Sequence, residues 1–179
     1  SVEHHGETTL SLQQCNTCHH VELYDVEDRC IDCHGTEAAF YEGRLALHEE
    51  GDPNYMLDSV GCLDCHDVTA GEPITLATVR QTCIDCHDED YGDMMDDWVA
   101  TGLGHRKDLA DRLKELETLA TNGKTITKAD AKIVEAEFKK FKAVHAIFKR
   151  HGFLHNPDYA DQLNDVAMES YNTILEILK

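Results

Sequence analysis

The hydrophobic residues of region 101–179 recur at helical spacing and predict three amphipathic helices. The first helix is expected from about His105 to Ala120, before Asn122 and Gly123, a pair of residues that commonly ends helices. Its apolar face consists of Leu109, Leu113, Leu116 and Ala120.

The second and third helices have clear start signals. Thr127 is the predicted N-cap of the second, with Asp130 in its first turn, and Gly152 is expected to end it. Asn156 is the predicted N-cap of the third, and Pro157 follows at the position where a missing N–H costs nothing. We expect the three helices to pack as a bundle. The two faces are Val134, Phe138, Phe141, His145 and Phe148, and Ala160, Leu163, Ala167, Ile174 and Leu178.

Residues 1–100 lack sustained periodicity. Glycine and proline interrupt them repeatedly, and no stretch alternates as a strand would, so short helices joined by loops are expected. The predicted class is therefore mainly α with few or no strands. Region 1–100 and the helical region 101–179 are expected to form one compact unit.

Charge is distributed unevenly between these regions. Residues 1–100 carry 23 Asp/Glu and 3 Lys/Arg, a net charge of −20, whereas residues 101–179 carry 12 and 13, a net charge of +1. Such an acidic chain is unsuited to nucleic acid. It also has no apolar run long enough to span a membrane.

The cysteines follow one pattern, C-x-x-C-H, which occurs four times and uses all eight of them. This is the attachment signature of haem c, in which two thiols bond to the porphyrin and the histidine binds the iron. Neither zinc nor a disulfide framework requires a histidine after every second cysteine. Four haem c groups are therefore predicted, and in so short a chain they must form much of the core. The predicted thioether residues are Cys15, Cys18, Cys30, Cys33, Cys62, Cys65, Cys83 and Cys86, and the proximal ligands are His19, His34, His66 and His87.

Eight further histidines are available as the second, distal ligand of each iron. His20 adjoins a proximal ligand and so can serve only a neighbouring haem. His48 lies between the second and third motifs, and His105 extends the apolar face of the first predicted helix. The predicted distal ligands are His20, His48, His105 and His155, with His5, His4 and His145 as alternatives; His151 is expected to be exposed.

His155 is also supported by a resemblance. The segment GFLHNPDYA resembles the His-Asn-Pro helix entry of multihaem cytochromes related to nitrite reductases and hydroxylamine-type enzymes. This resemblance implies that His155 is a distal haem ligand. Asn156 and Pro157 fix the start of a helix, and so fix the direction of the side chain before it.

The motifs favour an electron carrier over an enzyme. The related nitrite reductases mark their open iron with C-x-x-C-K, whereas all four motifs here end in histidine, and histidines are numerous enough to close every iron. Bis-histidine haem is typical of electron transfer. The alternative is an oxidoreductase with one open haem iron that acts on a small nitrogen or sulfur compound.

In size, motif number and helical C-terminus, the chain resembles the tetrahaem subunits of extracellular cytochrome filaments (the OmcE-like group). That resemblance implies redox protein partners or extracellular electron acceptors; a soluble periplasmic shuttle is the alternative. Because haem c is attached outside the cytoplasm, we expect an exported protein whose signal peptide has been removed.

Head-to-tail self-association is expected as well. The acidic first region of one copy would meet the basic residues 124–150 of the next, whose net charge is +5. His4 and His5 would reach an iron of the neighbouring copy.

Overall fold

A computed structural model of the chain describes residues 27–45, 47, 51–66, 74–122, 125–149 and 152–179. Within these ranges the regular structure is helical and no strand occurs, which confirms the predicted mainly α class. The helices are α1 (Glu27–Tyr41), α2 (Cys62–Cys65), α3 (Leu76–Cys86), α4 (Glu89–Asn122), α5 (Lys128–Lys149) and α6 (Pro157–Leu178); a 3-10 helix (Gly152–His155) precedes α6.

The second half of α4 forms a three-helix bundle with α5 and α6, as predicted. His105 contacts Asp161, and Glu115 contacts Tyr171 further along both helices, so α4 and α6 run parallel. Helix α5 lies between them in sequence, joined to each by a short connection, and runs antiparallel to both. Lys142 of α5 accordingly lies 3.7 Å from a carboxylate oxygen of Glu117 near the end of α4.

The core of the bundle is built from the predicted apolar faces. Leu109 and Leu116 of α4 are buried, whereas Ala120, predicted on the same face, is exposed. Val144 is buried although it was not part of the predicted face of α5. The predicted face of α6 is buried along its whole length: Ala160, Leu163, Ala167, Ile174 and Leu178.

None of the helices in the described ranges combines the length and apolar character needed to cross a bilayer.

Both predicted N-caps are present. The Asp130 amide donates to the Thr127 hydroxyl at 3.1 Å at the start of α5. The Tyr159 amide donates to the Asn156 side chain at 3.1 Å at the start of α6, with Pro157 following the cap. Each cap satisfies an amide that the helix itself cannot pair.

The predicted start of the first long helix was wrong. Helix α4 begins at Glu89 rather than near His105, and it passes through residue 100 without a break. In the added part, Gly92 lies against Arg80 and Ile84 of α3, Gly102 lies against Phe153, and three carboxylates near the helix start pair with Arg80. Hydrophobic periodicity cannot detect contacts that are made by glycines and by ion pairs.

The end of α1 and the segment after it pack on the start of α6. The Phe40 and Tyr159 rings meet edge to face at 5.4 Å, and the Tyr159 hydroxyl donates to the Leu45 carbonyl at 3.2 Å. Gly43 has a φ of 69°, and a Cβ there would lie 2.7 Å from the Asp52 carbonyl oxygen. This packing brings the chain that leads into the third C-x-x-C-H motif next to His155.

Candidate functional site

The three C-x-x-C-H motifs within the described residues all place their cysteines on helical backbone. In each, the cysteines lie on a helix and the histidine departs from helical backbone angles: His34 has φ −110° and ψ 33°, His66 has −118° and 81°, and His87 has −119° and −118°. In the third motif the His66 amide donates to the Cys62 carbonyl at 3.0 Å, and the His87 amide makes the equivalent bond in the fourth. In the third and fourth motifs the histidine ends the helix that carries the cysteines, whereas His34 lies at a kink inside α1.

Two predicted iron ligands lie close together. The ring centroids of His66 and His155 are 6.0 Å apart, and their planes are inclined at 46°. His66 follows the third cysteine pair, whereas His155 ends the 3-10 helix before α6. The fold thus brings together a predicted proximal and a predicted distal ligand that are distant in sequence.

Hydrogen bonds fix the turn that carries His155. The Asn156 side chain caps α6 through its oxygen and donates through Nδ2 to the Asp52 carbonyl at 2.9 Å. The His155 carbonyl in turn accepts a hydrogen bond of 2.9 Å from Asn54 Nδ2. Asn156 is only 1% exposed, so its side chain is shielded from water.

This pair has a geometry suited to a bis-histidine haem. Metal–imidazole bonds of about 2 Å on opposite sides of one metal put the ring centres roughly 6 Å apart. Two imidazoles that bind one metal can rotate about their metal–nitrogen bonds, so an inclination of 46° would be compatible with a shared iron. The described residues contain no cluster of three or more His, Cys, Asp or Glu that could hold a bare metal ion. A haem needs only two protein ligands, because the porphyrin supplies the other four.

The thiols of the third and fourth motifs lie near each other. Burial raises the pKa of the Cys65 thiol, and the nearby Cys83 thiol and Asp64 carboxylate raise it further. Tyr41, at the end of α1, reaches the same place: its hydroxyl donates to the Val60 carbonyl at 3.1 Å. Burial, followed by the Cys65 thiol, raises the pKa of Tyr41 to about 12. Groups attached at these two motifs would therefore be close neighbours.

His87, the predicted proximal ligand of the fourth motif, has an aromatic partner. The rings of His87 and Tyr91 stack with centroids 4.0 Å apart and an angle of 10°. His34 of the second motif is also exposed, and its Nδ1 lies 4.0 Å from a carboxylate oxygen of Glu37. Periodicity gave no reason to select Tyr91, although the stack follows simply from its place in the first turn of α4.

His105 and His145 lie on the bundle and are not brought against a described C-x-x-C-H motif by any contact seen here. His105 Nε2 lies 2.8 Å from a carboxylate oxygen of Asp161, and its ring meets the Phe148 ring at 5.8 Å. Burial lowers the pKa of His145, and the positive charges of Lys149 and Arg106 lower it further. The remaining predicted site residues lie outside the described residues: His4, His5, Cys15, Cys18, His19, His20 and His48.

Apolar side chains are exposed around the motifs rather than around the bundle. Of eight large apolar side chains exposed in the described residues, only Ile133 belongs to α5 or α6. Tyr55 is the most exposed, at 92%. The other six are Ile31, Ile74, Leu76, Tyr91, Met94 and Leu103.

Comparison of the chain with protein-family models, with curated proteins and with solved structures finds no match. The site therefore has to be interpreted from its own residues.

Proposed function

We propose that this chain is an electron-transfer protein with four covalently bound haem c groups, each held between two histidines. The observation that carries the proposal is the 6.0 Å separation of the His66 and His155 rings. The C-x-x-C-H pattern selects His66 and the His-Asn-Pro segment selects His155, and each selection is independent of the other. Their convergence on one place is what a bis-histidine site requires.

Haem, when bound, supplies an iron that gains and loses one electron. The chain does the rest: His66 and His155 would hold and orient the iron, and Cys62 and Cys65 would fix the ring covalently. The exposed apolar side chains near the motifs would exclude water from it. The acidic residues of the first region favour the more positive, oxidised state and so lower the reduction potential.

His20, His48 and His105 are proposed as the distal ligands of the other three haems, with His145 as the described alternative. Ligation by His105 requires its Nε2 to exchange Asp161 for iron. The Asp161 side chain is 62% exposed, so water can solvate the released carboxylate at little cost.

Electron paramagnetic resonance of the oxidised native protein tests this function. Four low-spin ferric signals are expected, because every iron has two imidazole ligands. A high-spin signal equal to one haem in four would instead favour the alternative, an oxidoreductase with an open iron that reduces or oxidises a small nitrogen or sulfur compound.

Export and head-to-tail assembly into an extracellular filament belong to the same proposal. Lys128, Lys132 and Lys139 of α5 are exposed and form no ion pair within the described part of the chain. The start of α4 presents exposed carboxylates, including Asp90 and Asp97. Different surfaces that attract each other give open chains or rings rather than closed dimers. Redox proteins or extracellular acceptors would receive the electrons.

Electron microscopy of native material at moderate salt tests the assembly. Exposed charges are screened beyond roughly 8 Å at physiological ionic strength, so they orient the copies but do not hold them. A bond from His4 or His5 to a neighbouring iron would supply the hold. Filaments that disappear when residues 1–6 are deleted are expected, whereas monomers with four low-spin haems before and after the deletion favour a periplasmic shuttle.

A further inference from the structure

Asn54 joins three chain segments that frame the paired imidazoles. Its amide donates to the Tyr41 carbonyl at 2.9 Å, at the end of α1, and its carbonyl accepts from the Leu57 amide at 3.0 Å. Its side-chain Oδ1 accepts from the Met56 amide at 2.8 Å, while Nδ2 donates to the His155 carbonyl at 2.9 Å. Through its backbone and its side chain, Asn54 therefore links the end of α1, the turn that follows Asn54 and the turn that carries His155.

The turn that Asn54 opens leads directly to the third motif. Both the Ser59 and the Val60 amides donate to the Met56 carbonyl, at 2.9 and 2.8 Å, and Gly61 then caps α2. The same asparagine side chain therefore supports the approach to His66 on one side and the backbone of His155 on the other. A change at Asn54 would alter the spacing of the two rings.

We propose that Asn54 is a positioning residue that holds His155 against His66 and so keeps the iron of the third motif six-coordinate. This inference rests on the proposed function, since the pair has an iron to hold only when haem is bound. Asn156 plays a different part, because it caps α6 and anchors the turn to the Asp52 and Tyr41 carbonyls. Asn54 bonds to the backbone of the ligand itself.

The substitution Asn54→Asp isolates this bond. Aspartate has the same shape and keeps the acceptor for the Met56 amide and both backbone bonds, but an ionised carboxylate cannot donate to the His155 carbonyl. Asn54→Ser repeats the test without added charge, because a serine hydroxyl still accepts from the Met56 amide and is too short to reach His155. Asn172→Asp, at an exposed position on α6, is the matched control.

The measurement is the rate at which carbon monoxide binds the reduced protein, since the gas enters a bis-histidine haem only after one histidine leaves the iron. Loss of one hydrogen bond to the ligand turn is expected to raise that rate about tenfold at one haem in four. Asn172→Asp should bind at the native rate. The low-spin resonance of the same haem should shift in Asn54→Asp and Asn54→Ser, because the imidazole reorients.

His155→Ala separates the possible failures, because it leaves the same iron permanently open. If His155→Ala opens one haem while Asn54→Asp and Asn54→Ser both bind carbon monoxide at the native rate, Asn54 does not position the ligand and the inference is overturned. If His155→Ala opens no haem, the pair is not axial, and the ligand assignment falls together with the inference.

Discussion

In the third and fourth C-x-x-C-H motifs, the histidine comes directly after a helical turn that carries the two cysteines. The cysteines keep helical geometry, and the histidine that follows takes its own backbone angles, as at His66 and His87. The local sequence is enough to select these residues as candidates, because the C-x-x-C-H pattern lies within five consecutive positions. The pairing of His66 with His155 was not predictable in the same way, since it depends on packing between segments far apart in the chain.

The first prediction concerns the reduction potential at His155. In His155→Met the thioether can replace the imidazole, and methionine ligation raises the potential of a haem by on the order of 0.1 V. Spectroelectrochemical titration should show one of four potentials raised while the iron stays low-spin. Ala146→Met, at an exposed position on α5, is the control and should leave all four unchanged. Four unchanged potentials in His155→Met would remove His155 from the ligand set.

A second prediction concerns Ser170, which is buried and donates to Glu137 Oε2 at 2.7 Å between α6 and α5. Burial raises the pKa of Glu137, but hydrogen bonds from Ser170 and Lys140 outweigh it, so the pKa lies below its ordinary 4.5. Ionised Glu137 therefore stabilises the fold above pH 4.5, and this contribution is lost as the pH falls through the lowered pKa. Ser170→Ala should lower the free energy of unfolding by about 1 kcal/mol at pH 7.

Denaturant unfolding followed by circular dichroism measures this effect. The difference between Ser170→Ala and the native protein should shrink once the pH falls below 4.5, and Ser59→Ala, at an exposed position, should show no difference at any pH. A loss of stability in Ser170→Ala that does not depend on pH would mean that the hydroxyl acts through packing alone.

At the scale of the elements, sequence predicted the bundle and missed half of α4. The apolar faces of α4, α5 and α6 bury leucine, phenylalanine and isoleucine, and their period is visible in the sequence. The segment from Glu89 to His105 is acidic; three of its carboxylates pair with Arg80 of α3, and Gly92 and Gly102 pack closely against neighbouring side chains. Glycine disfavours helix by about 1 kcal/mol relative to alanine, so only the contacts of the folded chain explain why the helix continues.

The third prediction uses two glycines of that helix. At Gly102 a Cβ would overlap the Phe153 ring, whereas at Gly104 nothing lies within 4 Å of it. Gly102→Ala should therefore destabilise the fold by roughly 1–3 kcal/mol through overpacking. Gly104→Ala should stabilise it by up to about 1 kcal/mol through helix propensity. Thermal unfolding of the two variants checks the opposite signs; equal shifts would contradict the close packing of α4 on the 3-10 helix.

At the scale of the whole molecule, the acidic region and the basic surface are different parts of the chain. Net negative charge and most exposed apolar side chains belong to the region of the motifs, while the exposed lysines of α5 lie on the bundle. Composition alone predicted the charge asymmetry. It could not predict which lysines remain without an ion pair in the described structure, because that depends on the packing of α5 beside α4 and α6.

The fourth prediction follows from this separation. Replacing Lys128, Lys132 and Lys139 by glutamate should weaken self-association at low salt at least several-fold, since the basic surface is removed. Sedimentation at several salt concentrations measures the effect. Replacing the exposed Lys107, Lys114 and Lys179 by glutamate makes the same change in net charge elsewhere. If both triple variants weaken association equally, net charge rather than the α5 surface controls it.

Intact mass of the native protein is the most direct measurement of the proposed cofactor content. If all eight cysteines carry haem, the mass exceeds the 20.2 kDa of the polypeptide by four haems, and the groups remain attached in acid and denaturant. A mass equal to that of the polypeptide, or zinc bound in place of iron, would contradict the haem assignment and with it the electron-transfer function.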